Sequence, residues 1–195
     1  MKKVILFDAD GVVIKKRKEF FSDTFVREQG VSSEGINSFF KNRFHACQIG
    51  KADIKEELEP LLPAWGWDKS VEEYLDYWFT TDVILDDEVL GFVEECRGKG
   101  IKCYLATDQE KYRAIYFREQ IGLDKYFDGC FFSYELGATK SQSEFFKKVL
   151  EKLNVSASDV AYTDDDQKNV DVAQSLGIAS HFFTDIENLR KFLQL

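Results

Sequence analysis

The feature that most restricts the fold of this chain is an alternation of two patterns. Short apolar runs recur at Val4–Phe7 and at 101–106, 129–133, 160–163 and 178–183. Runs of this length and continuity suit strands covered on both faces. Between them lie stretches with helical spacing. Leu90, Phe92, Val93 and Cys96 line one; Tyr112, Ile115, Tyr116, Glu119 and Ile121 belong to the next, which stops at Gly122. Phe145, Phe146, Val149, Leu150 and Leu153 line a third, and Val170, Val172, Ala173 and Leu176 a fourth, ended by Gly177. Strand and helix repeated in this way predict an α/β fold, a Rossmann-like doubly wound parallel sheet with helices on both faces.

Residues 15–83 break that rhythm and hold no clear buried strand. Their spacing predicts helices near 19–29, 33–44, 53–62 and 70–79. Asp53 with Glu56 three residues later reads as a capping box, and Pro60, Pro63 and Trp65-Gly66-Trp67 punctuate the path. The expected organisation is a core made of 1–14 and 84–195, with a helical insertion at 15–83 after the first strand.

Composition narrows the partners. The 195 residues suffice for one medium domain, or a core with a small insertion. Acidic residues outnumber basic ones 35 to 26, for a formal net charge of -9. An acidic surface argues against nucleic acid or an anionic membrane as partner. No stretch approaches the roughly 20 apolar residues of a membrane span, and the apolar run after Lys3 is too short for a secretion signal. A cytoplasmic protein, monomer or homodimer, is expected. The four cysteines, Cys47, Cys96, Cys103 and Cys130, form no C-x-x-C pair and read as buried free thiols. With only two histidines, His45 and His181, a zinc site is not expected.

The chemistry begins at Asp8-Ala9-Asp10-Gly11, at the carboxyl end of the first predicted strand, where doubly wound sheets bind ligands. Two carboxylates so placed repel by about 4 kcal/mol at ~4 Å and an effective dielectric of ~20. A divalent cation or a proton relieves that repulsion. Gly11 permits a sharp turn close to a ligand. A second acidic cluster, Asp164-Asp165-Asp166, follows another predicted strand. Each cluster alone is equally a solvated or helix-capping turn. Together they supply the oxygen ligands that Mg2+ favours. Thr107, in Leu105-Ala106-Thr107-Asp108, ends a third strand with a hydroxyl able to donate to a phosphoryl oxygen. Lys140, before a helix, supplies counter-charge.

These four pieces, in this order, resemble the haloacid dehalogenase-like hydrolase superfamily over nearly the whole chain. Asp8-Ala9-Asp10-Gly11 resembles its first motif, Thr107 its second, Lys140 its third, and Asp164-Asp165 before Asn169-Val170 its fourth. The resemblance is to the subfamily with a small helical cap after strand one. It implies an Mg2+-dependent phosphatase of a small phosphorylated metabolite. Asp8 would be the nucleophile that forms an aspartyl phosphate, and its other oxygen a metal ligand. Asp10 would protonate the leaving alcohol and then activate water, with its backbone carbonyl on the metal. Gly11, Thr107, Asp108 and Lys140 would line the phosphate site. Asp165 would bind the metal directly, supported by Asp164. Dehalogenases resemble D-x-Y at the first motif, so Asp10 favours phosphate esters.

Asp108 departs from the usual Asn and brings an extra carboxylate, for which Lys111 and Lys140 are candidate partners. Ser141 replaces a common Pro. Two other readings stay open: a phosphomutase, and a fold-mate that binds without turnover. In 43–51, Arg43, His45, Gln48 and Lys51 read either as substrate contacts or as plain surface groups. His181 reads as structural, and Trp65, Trp67 and Trp78 as packing within the insertion.

Overall fold

The computed structural model describes residues 2–195. Five parallel strands, β1 (Val4–Phe7), β2 (Lys102–Thr107), β3 (Gly129–Phe132), β4 (Val160–Asp164) and β5 (Ala179–Phe182), pair in the order β3-β2-β1-β4-β5. All four residues of β1 are buried, as its unbroken apolar run requires. Alternation along it feeds two separate cores. Ile5 and Phe7 join Val89, Phe92 and Val93 of α6 (Asp87–Gly98), Ala114 and Phe117 of α7 (Lys111–Glu119), and Leu189 of α11 (Ile186–Leu193). Val4 and Leu6 point the other way, onto Phe145, Phe146 and Val149 of α9 (Ser143–Leu153) and Ala173 of α10 (Gln167–Ser175). Helices on both faces complete the doubly wound arrangement expected from the sequence.

The chain leaves β1, passes through a helical segment, and returns as β2 beside it. It continues outward to β3 and then crosses to the other side of β1 as β4. The order reverses between β1 and β4, so their carboxyl ends flank the crevice where such sheets bind ligands. Register sets the neighbours: Phe7 lies level with Thr163, so the residues that follow, Asp8 and Asp164, emerge side by side.

The segment between β1 and β2 holds α1 (Phe21–Gln29), α2 (Ser33–Asn42), α3 (Phe44–Gln48), α4 (Ile54–Leu58) and α5 (Val71–Asp82). They bury an aromatic cluster of their own, in which Phe21 stacks on Trp78 at 5.7 Å and meets Tyr74 edge-on at 5.6 Å. Trp65, Trp67 and Trp78 all belong to this cluster. The entering and leaving chain segments run side by side, with Lys15 N donating to Ile84 O and Asp86 N to Val13 O, both at 2.8 Å.

Boundaries differ from the sequence expectation in three places. The 33–44 stretch is two helices that break at Arg43. The 53–62 stretch ends at Leu58: Glu59 keeps helical geometry, but Pro60 has no N–H with which to continue the ladder. A 3-10 turn at Leu62–Trp65 follows, with Pro63 in its first turn. The reciprocal capping box is at Ser70 and Glu73 rather than at Asp53 and Glu56; Asp53 caps α4 by accepting from Lys55 N at 2.9 Å. Of the cysteines, Cys47, Cys96 and Cys103 are buried free thiols, whereas Cys130 is only half-buried, on the edge strand β3. The four-residue α8 (Ser133–Leu136) closes the list of helices.

Candidate active site

Asp8 extends β1 by one residue, donating its backbone N–H to Thr163 O at 3.0 Å. Its carboxylate is buried. Oδ1 accepts from Ala9 N at 2.7 Å and lies 2.5 Å from Lys140 Nζ. Asp164, the last residue of β4, has no exposure at all. Its Oδ2 accepts from Lys140 Nζ at 2.7 Å, from Asn169 Nδ2 at 3.1 Å and from the Tyr162 hydroxyl; Oδ1 accepts from Asp166 N at 2.7 Å. One buried ammonium therefore bridges the carboxylates at the ends of two neighbouring strands. Burial pushes the Asp8 carboxyl well above the usual carboxylate range, with Lys140 opposing and Asp164 reinforcing. Burial works against the Lys140 charge, but Asp8, Asp164 and Asp108 outweigh it and hold the ammonium protonated.

Asp165 follows on the loop and accepts from Lys16 Nζ at 3.0 Å. Oxygens of Asp8, Asp164 and Asp165 lie within 4.8 Å of one another. An all-carboxylate donor set at this spacing fits a hard divalent cation such as Mg2+. Gly11 makes the fit possible. Its φ is +80°, and a Cβ there would stand 2.3 Å from the Asp165 carboxyl carbon. Any side chain at position 11 would push Asp165 out of the cluster.

Asp10 points away from these three. Arg113 Nη1 and Nη2 clamp its two oxygens at 2.8 and 2.9 Å, and Gln109 Nε2 donates to Oδ2 at 2.8 Å. Arg17 approaches to 3.7 Å and also pairs with Asp82, whose carboxylate takes the Trp78 indole N–H at 2.8 Å. Burial favours the neutral acid, yet the Arg113 charge and hydrogen bonds, with Arg17 and Gln109, overcome it and hold Asp10 far below the usual carboxylate range. Thr107 is buried at the end of β2, its hydroxyl oxygen accepting from Gln109 Nε2 at 3.0 Å.

Asp108 is half-buried, and its carboxylate accepts the Lys140 backbone N–H at 2.9 Å. Burial raises its pKa against the pull of Lys140. The expected alternative partner, Lys111, turns to Asp53 at 3.6 Å instead. Among the residues of 43–51, Gln48 faces the cavity beside Asp10, while Arg43 pairs with Glu57 at 2.5 Å and His45 and Lys51 are exposed. His181 is half-buried on β5 against Phe192.

Arg113, Gln109 and Arg17 were not anticipated. The helical pattern put Tyr112, Ile115 and Tyr116 on the inner face of α7. The buried face is Arg113, Ala114 and Phe117, because the arginine is neutralised by Asp10 and stacks over Phe117 at 5.0 Å. The one available signal was a Gln109-x-x-x-Arg113 spacing directly after a strand-end hydroxyl.

Two cavities meet at Asp10. One, of about 730 Å3, is lined by Asp8, Gly11, Asp108, Asp165 and the basic loop at Lys16 and Lys18. The other, of about 380 Å3, lies under the helices of residues 21–82.

Clustered acids, one buried lysine and a strand-end threonine gather at the switch point of a doubly wound parallel sheet, where α/β enzymes hold their ligands, and their charges are of the kind that can hold an anion beside a cation. The sequence profile of haloacid dehalogenase-like hydrolases matches residues 2–177, and the chain belongs to that family. It is 29% identical over 189 residues to a sesquiterpene phosphatase of Aspergillus oryzae, covering 94% of this chain and 90% of the relative. It is 26% identical over 182 residues to a phosphorylated carbohydrates phosphatase of Thermotoga maritima, covering 90% and 82%. The fold matches a crystal structure of a HAD family enzyme from Bacteroides thetaiotaomicron in complex with magnesium and inorganic phosphate, with a TM-score of 0.81, 21% identity, and 97% and 99% of the two chains covered.

Proposed function

We propose that this hydrolase is an Mg2+-dependent phosphatase acting on a small phosphate monoester through an aspartyl-phosphate intermediate on Asp8. The observation that carries the reading is the buried cluster at the β1/β4 switch point, with Lys140 bridging Asp8 and Asp164 beside Asp165. The names of the relatives support phosphate ester chemistry, and the magnesium and phosphate held by the structural neighbour support the cation.

Asp8, Asp164 and Asp165 would hold the metal, with Asp10 contributing its backbone carbonyl. The bound cation supplies charge that offsets the phosphoryl oxygens and the clustered carboxylates. Lys140 is the protein's own counter-charge, held protonated beside the nucleophile. Asp8 attacks phosphorus, the bond to the ester oxygen breaks, and that oxygen takes a proton from Asp10. Asp10 then accepts a proton from the water that attacks the aspartyl phosphate, which frees phosphate and restores Asp8. Thr107 would donate its hydroxyl hydrogen to a phosphoryl oxygen while still accepting from Gln109 Nε2. In the pose seen here Asp10 is clamped ionised by Arg113. That state has the ionisation the base step needs, but the clamp leaves the carboxylate a weak base, so both proton transfers require Asp10 to turn off the guanidinium. Residues 15–83 act as a cap, hinged where 13–15 and 84–86 run together.

The test is phosphate release from an aryl phosphate with and without Mg2+, in the parent and in Asp8→Asn. Release that needs Mg2+ and falls at least about 1,000-fold in Asp8→Asn is expected, since removal of a covalent nucleophile leaves only binding and electrostatics. Undiminished release in Asp8→Asn would overturn the mechanism.

A further inference from the structure

The second cavity beside Asp10 has an uneven lining. Its upper wall is aromatic: Phe20, Phe21, Phe40, Phe44 and Trp78. Phe20 is 69% exposed and yet sits on the cavity rim, at the start of α1. The polar groups on the lower wall are committed to one another. Arg113 is taken up by Asp10, Arg17 by Asp82 and Asp10, and Gln109 by Asp10 and Thr107. Among the described lining residues no cation is unpaired, so a second phosphate or a carboxylate would have to pull an arginine off its partner. Ser22, Gln48 and Asp108 are the remaining polar side chains there, and Asp108 accepts the Lys140 backbone N–H. Polyol hydroxyls turned toward the aromatic wall would find no partner there, at a cost of about 1–3 kcal/mol for each one buried.

In-line displacement puts the leaving oxygen on the side of phosphorus opposite Asp8. That direction leads away from the strand ends, where Asp10, Arg17, Phe20 and Asp108 line both cavities. The alcohol portion of the substrate therefore enters the aromatic cavity while its phosphate stays at Asp8 and Lys140. At about 380 Å3 the space lies near the lower end of ligand pockets, roughly 300–1,000 Å3. It suits one ring system or a short branched chain.

We infer that the substrate is a phosphate monoester of an apolar alcohol, aromatic or branched aliphatic, with its hydrocarbon part packed against Phe20, Phe40, Phe44 and Trp78. This rests on the phosphatase reading above and specifies the alcohol, which that reading leaves open.

The experiment compares kcat/KM with Mg2+ for 2-phenylethyl phosphate, glycerol 1-phosphate and glucose 6-phosphate. All three are esters of primary alcohols, so they differ in what the cavity must hold far more than in leaving-group chemistry. The phenylethyl ester should be favoured by about tenfold or more, the gain expected from burying one ring. Phe44→Ser and the surface variant Phe20→Ser should raise KM for the phenylethyl ester several-fold, and leave glycerol 1-phosphate within about twofold, because uniform binding of the apolar group is what is removed. Equal or better turnover of the polyol phosphates, or equal losses on all three esters in both variants, would overturn the inference while leaving an Asp8-dependent phosphatase standing. Absence of any Asp8-dependent phosphate release would instead overturn the phosphatase reading, and this inference with it.

Discussion

At the scale of single residues, the two aspartates of the first motif live in opposite environments. Asp8 is buried against one ammonium shared with Asp164, and burial pushes its carboxyl up. Asp10 is clamped by a guanidinium and held ionised. If Asp10 serves the leaving oxygen, Asp10→Asn should lower kcat by about 100- to 10,000-fold on an alkyl phosphate. The loss should be smaller on 4-nitrophenyl phosphate, whose leaving group needs little proton assistance. Equal losses on both esters would remove Asp10 from that role. Glu110, the buried N-cap of α7, accepts from Tyr112 N and Arg113 N, and burial pushes its carboxyl up to about 7 from an ordinary 4.5. The unfolded chain ionises Glu110 first, so stability is lost as pH rises from about 4.5 to 7 and the penalty is complete above that. Glu110→Gln, which keeps an accepting oxygen, should gain about 3 kcal/mol relative to the parent between pH 4.5 and 8, measured by urea unfolding. Asp8, Asp10, Thr107, Lys140 and the 164–165 pair were legible because each lies at a strand end or just before a helix, in a recognisable order. Arg113 was not, because an arginine on an amphipathic helix reads as solvent-facing until its buried partner is known.

At the scale of elements, the strands were legible almost to the residue; the central ones, β1 and β4, are buried along their whole length and so read as short apolar runs. Aromatic residues knit these strands to the helices above them. Phe146 of α9 is fully buried and meets the ring of Tyr162 on β4 edge-on at 5.0 Å. Phe146→Ala should cost about 3–5 kcal/mol and lower the melting temperature by roughly 10 °C for a chain of this size. A shift under about 2 °C would mean that this face tolerates a cavity. The helices of 15–83 were legible as helices but not in their ends. Proline at 60 and the backbone break at Arg43 cut two expected helices short, and hydrophobic period alone does not register where a backbone donor is missing.

At the scale of the whole molecule, the strand order β3-β2-β1-β4-β5 brings residues 8, 107, 140 and 164 from four segments of chain to one end of the sheet. Sequence reasoning reached this because parallel strands joined by helices expose all their carboxyl ends on the same side. It did not reach the second cavity, whose aromatic wall comes from α1, the α2–α3 junction and α5 and is assembled only by the packing of the insertion against the sheet. The proposed reaction turns on a bond between Asp8 and phosphorus at that switch point. Borohydride added during turnover tests it directly, because it reduces an aspartyl phosphate to homoserine and leaves a free carboxylate alone. Peptide mass analysis should find homoserine in place of Asp8, only when both Mg2+ and a phosphate ester are present. Steady release of phosphate with Asp8 unmodified would contradict the account.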